Sequence, residues 1–316
     1  MRAAGGSRGV APSHGIVAAG QIPATIHTIM LRFLAPVLFV LIWSSGFIVA
    51  KAVAPHADLQ LFIFVRLALT SAVMGVAALS VQAEWPRGKQ LGVHLLAGAL
   101  MHGVYLCASY WAITHGMAAG VMALLGALQP VFTALYLAAI GTRLGARTWT
   151  GLFIGFAGVG LVLAPKLAST GPGSLTVLSV ASALLSVIAV TTGALVQKRL
   201  SAADIRSASS VQNFGGTAVA LAATALFSTY QWDSTPILYV GLVWAVIVPS
   251  VIGVTLLMWM LRHGEATKVT ALILLAPPLA AIQAYFFFHE TLMPLQFIGF
   301  AMALGGVLLA RSRPAG

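Results

Sequence analysis

Acidic residues are nearly missing from this chain, which sets six Asp and Glu against seventeen Lys and Arg in 316 residues. Charge of either sign is scarce, at 7% of residues, whereas 59% are hydrophobic and the mean hydropathy is +0.98. A water-soluble core of this size cannot hide so much apolar side chain, because its surface must still be covered by polar groups. Lipid is therefore the solvent. A single cysteine, Cys107, inside an apolar run, excludes an intramolecular disulfide and a cysteine-based metal cluster and reads as a small core residue. No G-x4-G-K-[ST] run is present, so direct use of ATP is unsupported, and no metal or cofactor is expected. Asp58, Glu84, Asp204, Asp233, Glu265 and Glu290 all fall at the ends of apolar runs or between them. The clustered acid and base groups of a membrane-embedded enzyme are thus missing, as are the rings of charge that line an ion pore.

What is present is a series of apolar runs long enough to span a bilayer. Ten are predicted, at 33–53, 60–81, 92–114, 117–140, 148–165, 175–196, 207–228, 237–260, 268–288 and 293–310, joined by short polar turns. If the N-terminus is cytoplasmic, every Lys and Arg falls on the cytoplasmic side except Lys51, Lys166 and the intramembrane Arg66. The positive-inside rule then places both termini in the cytoplasm of a multi-pass protein of the inner membrane. A formal charge of +11 would suggest nucleic acid in a soluble domain; here the basic groups set orientation, and the bilayer is the partner. Residues 1–29, rich in Gly, Ala and Ser, read as a disordered cytoplasmic tail, with Met30 an alternative start.

The runs repeat. Val121, Ala123, Leu124, Pro130, Leu144, Gly151, Gly158, Val159 and Leu161 recur as Val269, Ala271, Leu272, Pro278, Leu292, Gly299, Gly306, Val307 and Leu309, at a constant offset of 148 residues. Ser44-Ser45-Gly46 and Lys51 recur as Thr191-Thr192-Gly193 and Lys198, at an offset of 147. The chain thus divides into two units, 30–165 and 166–316. Because each holds an odd number of spans, five, the second must cross the membrane in the opposite sense to the first. The fold predicted is an all-α membrane protein of ten transmembrane helices, a 5+5 inverted repeat around a central cavity. Two nearly equivalent tilts, one open to each side, are the physical basis of alternating access.

Ile42-Trp43-Ser44-Ser45-Gly46-Phe47 with Lys51, Arg66, Ala123-Leu124-x5-Pro130 and Gly151-x6-Gly158-Val159 resemble the EamA repeat of the drug/metabolite transporter superfamily. Ala271-Leu272-x5-Pro278, His289-Glu290-Thr291-Leu292 and Gly299-x6-Gly306-Val307 resemble it again, so that the likeness covers about 31–311. It implies ten helices in a 5+5 inverted repeat and secondary transport of a small metabolite, often amino-acid export. One departure is visible: the acidic residue of the turn after the Pro-containing helix is Glu290 in the second copy but Thr142 in the first.

Polar groups inside spans are expensive unless they face one another or water, so they mark the path. His102, Tyr105 and Ser109 follow an i, i+3, i+7 pattern with Tyr110 adjacent, which suits either cargo contact or hydroxyls bonded within the bundle. Trp43 and Ser44 lie near the middle of the first run, with Thr191 as counterpart on the opposite wall. Gln129, beside Pro130, and Gln283, beyond Pro277 and Pro278, are further contacts; the three prolines are candidate hinges or simple kinks. Arg66 either meets a carboxylate or phosphate on the cargo or snorkels to the outer interface. Gly151, Gly155 and Gly158 read as close helix packing. Without a mid-membrane carboxylate, facilitated diffusion or exchange is expected, with His102 the single plausible buried proton acceptor. The function read from the sequence is an amino-acid exporter or exchanger working by alternating access. A drug or lipophilic-compound carrier and a nucleoside or sugar carrier are the alternatives on the same scaffold.

Overall fold

The computed structural model describes residues 24–168, 175–200, 203–253, 256, 260, 275–290 and 292–310. Much of the expected tail, and the second copy's Val269, Ala271 and Leu272, lie outside them. Among the described residues the chain is helical with no strand: α1 Ala24–Ser44, α2 Gly46–Val53, α3 Leu59–Ser80, α4 Gly88–Gly98, a π-helical stretch Ala99–Val104, α5 Tyr105–Thr114, α6 Ala119–Ala127, α7 Gln129–Ala139, α8 Ala146–Ala168, α9 Val177–Gln197, α10 Ile205–Phe227, α11 Pro236–Ile247, a second π-helical stretch Val248–Gly253, α12 Ala276–Phe288 and α13 Pro294–Ala310. Among the described residues seven stretches, Leu34–Val53, Leu59–Ser80, Gly88–Thr114, Ala119–Ala139, Ala146–Pro165, Val177–Gln197 and Pro236–Gly253, are long and apolar enough to cross a membrane. α12 and α13 are shorter but apolar, and α10 is long but carries more polar residues.

Helix starts reflect local chemistry. Asp58 and Asp204 accept backbone N–H groups of the first turns of α3 and α10, and Thr176 closes a reciprocal capping box with Ser179 on α9. Pro130 and Pro277 fall in the first turns of α7 and α12, where a missing N–H leaves nothing unsatisfied. The first and fourth predicted spans are accordingly not single rods: one breaks at Ser45, the other at Leu128 just ahead of Pro130.

The halves meet through two pairs of matching helices. α8 crosses α13 on glycine: a Cβ at Gly151 would lie 2.6 Å from the Gly306 carbonyl oxygen and one at Gly306 would lie 2.6 Å from that of Gly151. Gly158 and Gly299 stand in the same relation, each at 2.6 Å. Exchanging the repeats maps this contact set onto itself, and rising numbers on one helix meet falling numbers on the other, so the two run antiparallel. α3 and α10 make the second pair, where Ser71 Oγ donates to the Ser210 carbonyl (2.9 Å) and Ser210 Oγ to that of Ser71 (2.8 Å). The repeat is visible in local geometry too. The turn ending α7 stops on Gly141 at φ +93° and α12 stops on its counterpart His289 at φ +54°, both left-handed.

At one end of the bundle the turn before α3 is sewn to the segment before α11. Ala57 bridges Trp232, Asp58 N–H donates to the Gln231 carbonyl (2.9 Å), and Asp233 N–H to that of His56 (2.7 Å). Asp58 adds its second carboxylate oxygen, which accepts from Thr229 N–H at 2.9 Å. Partial burial pushes the Asp58 carboxyl up, but hydrogen bonds from Thr229 N–H, the Ser228 side chain and the Leu61 and Gln60 N–H groups outweigh this and hold it below its ordinary 3.8.

Candidate functional site

The break in the first span organises the site. Ser44 and Ser45 turn their hydroxyls back onto the Leu41 and Ile42 carbonyls, at 3.0 and 2.7 Å, which bends a helix at that point. Four consecutive residues then reach other helices. Ser44 Oγ accepts from Gln283 Nε2 on α12 (2.9 Å), and Ser45 Oγ from Trp244 Nε1 on α11 (3.1 Å). The Gly46 carbonyl accepts from the Tyr110 hydroxyl on α5 (3.1 Å), and Phe47 meets the Tyr105 ring edge-on at 6.4 Å between centroids. Small residues here let helices approach, and the break hands their polar groups to neighbours.

Trp43 lies on the side of α1 opposite its outward stripe of Leu34, Val37, Leu38 and Leu41, with Phe39 tilted against it at 5.6 Å. It is nevertheless 47% exposed. His102, Tyr105, Gln129 and Gln283 are half-buried, and the Tyr105 hydroxyl would be 3.9 Å from a Cβ at Gly126. Gln283 Oε1 is buried without a hydrogen-bond partner.

Arg66 is 8% exposed and donates from Nη1 to the Tyr110 hydroxyl at 3.0 Å. It points into the bundle and does not snorkel. Its charge acts on His102, Tyr105 and Tyr110, and Gln212 Nε2 lies at hydrogen-bond distance from His94 Nδ1 (3.2 Å).

Three predicted contacts are held elsewhere. Ser109 is fully buried with its hydroxyl on the Leu106 carbonyl (3.1 Å). The expected shared face of His102, Tyr105 and Ser109 assumed α-helical register; the π-helical stretch Ala99–Val104 widens that turn and rotates α5 relative to α4. Thr191 is buried and bonds the Val187 carbonyl (2.7 Å) of its own helix, and the Tyr110 hydroxyl is fully engaged by Arg66 and Gly46.

Sequence reasoning missed the cross-repeat ion pair between Lys51, at the end of α2, and Glu290, just past α12. His289 in the left-handed region and the Glu290 N–H returning to the Ala284 carbonyl (3.3 Å) turn Glu290 toward Lys51, whose ammonium also lies 4.9 Å from the Phe288 ring centre. Both residues stood out singly, but nothing in a linear pattern joins positions so far apart. The matching positions, Lys198 and Thr142, are exposed. Gln60 was also missed: buried, it donates to the Cys107 carbonyl (3.1 Å) and leaves its Oε1 unpaired. Among the described residues no cluster of three or more His, Cys, Asp or Glu could hold a metal.

The model of the EamA-like transporter family matches residues 30–164 and again 177–312. A probable terminal-alkyne amino-acid exporter of Streptantibioticus cattleyicolor is 25% identical over 288 residues, covering 89% of this chain and 94% of that protein. The uncharacterized transporter YvbV of Bacillus subtilis is 24% identical over 306 residues (93% and 94%), and an uncharacterized transporter of Archaeoglobus fulgidus 27% identical over 220 (68% and 75%). A protein crystal structure at 18% identity superposes with a TM-score of 0.59 over 88% of this chain and 95% of that one, a likeness of fold alone.

Proposed function

Because the chain belongs to the EamA-like transporter family, and is thus a multi-pass membrane protein whose relatives are transporters and not enzymes, we propose that it moves a small metabolite across the inner membrane by alternating access, as an amino-acid exporter or exchanger. The observation that carries this reading is the break at Ser44–Phe47, where α11, α12 and α5 converge beside the inward-facing open surface of Trp43. An aromatic wall of Trp43, Phe47 and Tyr105 with amides at Gln129 and Gln283 suits a compact polar cargo with an apolar side chain. The named activity of the Streptantibioticus relative supports an amino acid.

The proposed architecture is ten spans in two inverted units, 30–165 and 166–316, after a cytoplasmic tail. The self-mapping, antiparallel glycine crossing of α8 and α13 supports inversion, since a two-fold axis relating antiparallel helices lies in the membrane plane. Under the positive-inside rule both termini are cytoplasmic, and the Lys51–Glu290 and Asp58 ends of the bundle face outward. Pro130, Pro277 and Pro278, each in the first turn of its helix, serve as hinges.

Counterflow of labelled amino acids into proteoliposomes tests the function. We expect uptake above empty vesicles, lowered at least about tenfold in Trp43→Ala and Tyr105→Ala, with insertion intact. Failure of every amino acid to exchange would remove the amino-acid reading. A pH gradient should change the rate little; strong acceleration that survives His102→Ala would refute uncoupled exchange and its proton acceptor together.

A further inference from the structure

Among the Lys and Arg whose side chains the structure describes, Arg66 is the one that is buried; the others there are exposed or half-exposed. Guanidinium stays charged at any physiological pH, so burial cannot be relieved by losing a proton. A buried cation needs a partner of opposite sign, and none is supplied from among the described residues. Among the described residues the ion pairs are Lys51–Glu290 and Arg206–Asp204, and Asp58, Glu84 and Asp233 stand in turns at helix ends.

The guanidinium is half satisfied in an informative way. Nη1 donates to the Tyr110 hydroxyl, whose own proton goes to the Gly46 carbonyl, so this edge is fixed in position by two helices. Nε is buried without a partner, and no hydrogen bond from Nη2 is made among the described residues. Nε and Nη2 form one edge of the planar group, with two parallel N–H vectors spaced to meet the two oxygens of an oxyanion. One turn along α3, Thr70 is 1% exposed and its hydroxyl is also unpartnered. Two unsatisfied groups on one helix face, one of them a cation, leave donors inside the bundle with no acceptor among the described residues.

We propose that Arg66 is the counter-charge for an oxyanion on the cargo, a carboxylate or a phosphate, held on the Nε–Nη2 edge with Thr70 beside it. The proposal rests on the transport reading and narrows it to cargo that carries a negative oxygen group. Tyr110 is a positioning residue here: it holds Arg66 without touching cargo. With the arginine on α3 and the open aromatic surface on α1, α2 and α5, one end of the cargo is fixed by charge and the other is left to apolar contact.

The test is thermal unfolding of the purified full chain, as wild type, Arg66→Met and Arg66→Lys, against single L-amino acids, their carboxamides and inorganic phosphate. An uncompensated buried cation destabilises the empty protein, so Arg66→Met should raise its midpoint without ligand by about 2–4 °C. A structural arginine would lower it, and a fall overturns the proposal. Amino acids should raise the wild-type midpoint and their carboxamides should not. That discrimination should vanish in Arg66→Met and weaken at least about tenfold in apparent affinity in Arg66→Lys, which keeps the charge but loses the fork. A phosphate response that needs Arg66, with no amino acid active, keeps the oxyanion site and removes the amino-acid reading. Equal response to acids and amides, or no anion effect that depends on Arg66, overturns the site itself.

Discussion

At the scale of single residues, Asp58 stands out among the described residues outside the membrane, since it caps α3 and ties it to the segment before α11. Its carboxyl is held below 3.8 in the folded protein, so its contribution is fully present above that ordinary value and is lost as pH falls through the lowered native one. Asp58→Ala should cost about 1 kcal/mol from the cap alone. Melting the variant beside the wild type near neutral pH should reveal that gap, and the gap should close in acid. Asp58 was legible as a loop carboxylate; its role was not, because two of its partners come from Ser228 and Thr229 in the other half of the chain. The same holds for Arg66, whose depth in the span could be counted but whose hydroxyl partner on α5 no periodicity names.

At the scale of elements, the spans were easy to read and their interruptions were not. Apolar length marks a crossing segment whatever its internal hydrogen-bond register, so 92–114 was found while the π-helical stretch Ala99–Val104 within it was missed. Proline signalled the break between α6 and α7, and glycine spacing signalled the α8–α13 crossing, because both act through backbone geometry that the residue type alone dictates. The π-helical stretch has a functional prediction of its own. Removing Leu100 should restore α-helical register and, because six residues in a wide π turn sweep about as far as five in an α-helix, should leave Tyr105 still facing Phe47. Counterflow should therefore stay within about twofold of wild type in such a variant, with membrane insertion and helical content by circular dichroism unchanged; a loss of about tenfold would show that the wide turn itself, and not only the direction of Tyr105, serves transport.

For the whole molecule, the two copies are not equal where they close. Lys51 and Glu290 join across the repeats, whereas Lys198 and Thr142, which hold the matching places, are exposed. The pair is partly open to solvent, so it is worth about 1 kcal/mol or less. That is enough to bias two nearly balanced tilts about fivefold. In a Cys107→Ala background, a cysteine at Gly126 should react with an impermeant maleimide from the Lys51 side several-fold faster once Glu290→Gln is added; an unchanged rate would mean the pair does not hold that side shut. At the opposite extreme of rigidity, Gly158→Ala would drive a methyl into the backbone of α13 and should destabilise by about 1–3 kcal/mol in detergent melts.

That last contact reaches beyond any one molecule. Each glycine of the α8–α13 crossing sits against main chain, and its mate in the other half sits against main chain in return. Elsewhere the duplicated segments can drift apart one residue at a time, as Thr142 and Glu290 have done. At this seam they cannot: a bulkier residue on either side meets a main-chain atom that no rotamer can move, so neither half can change there alone.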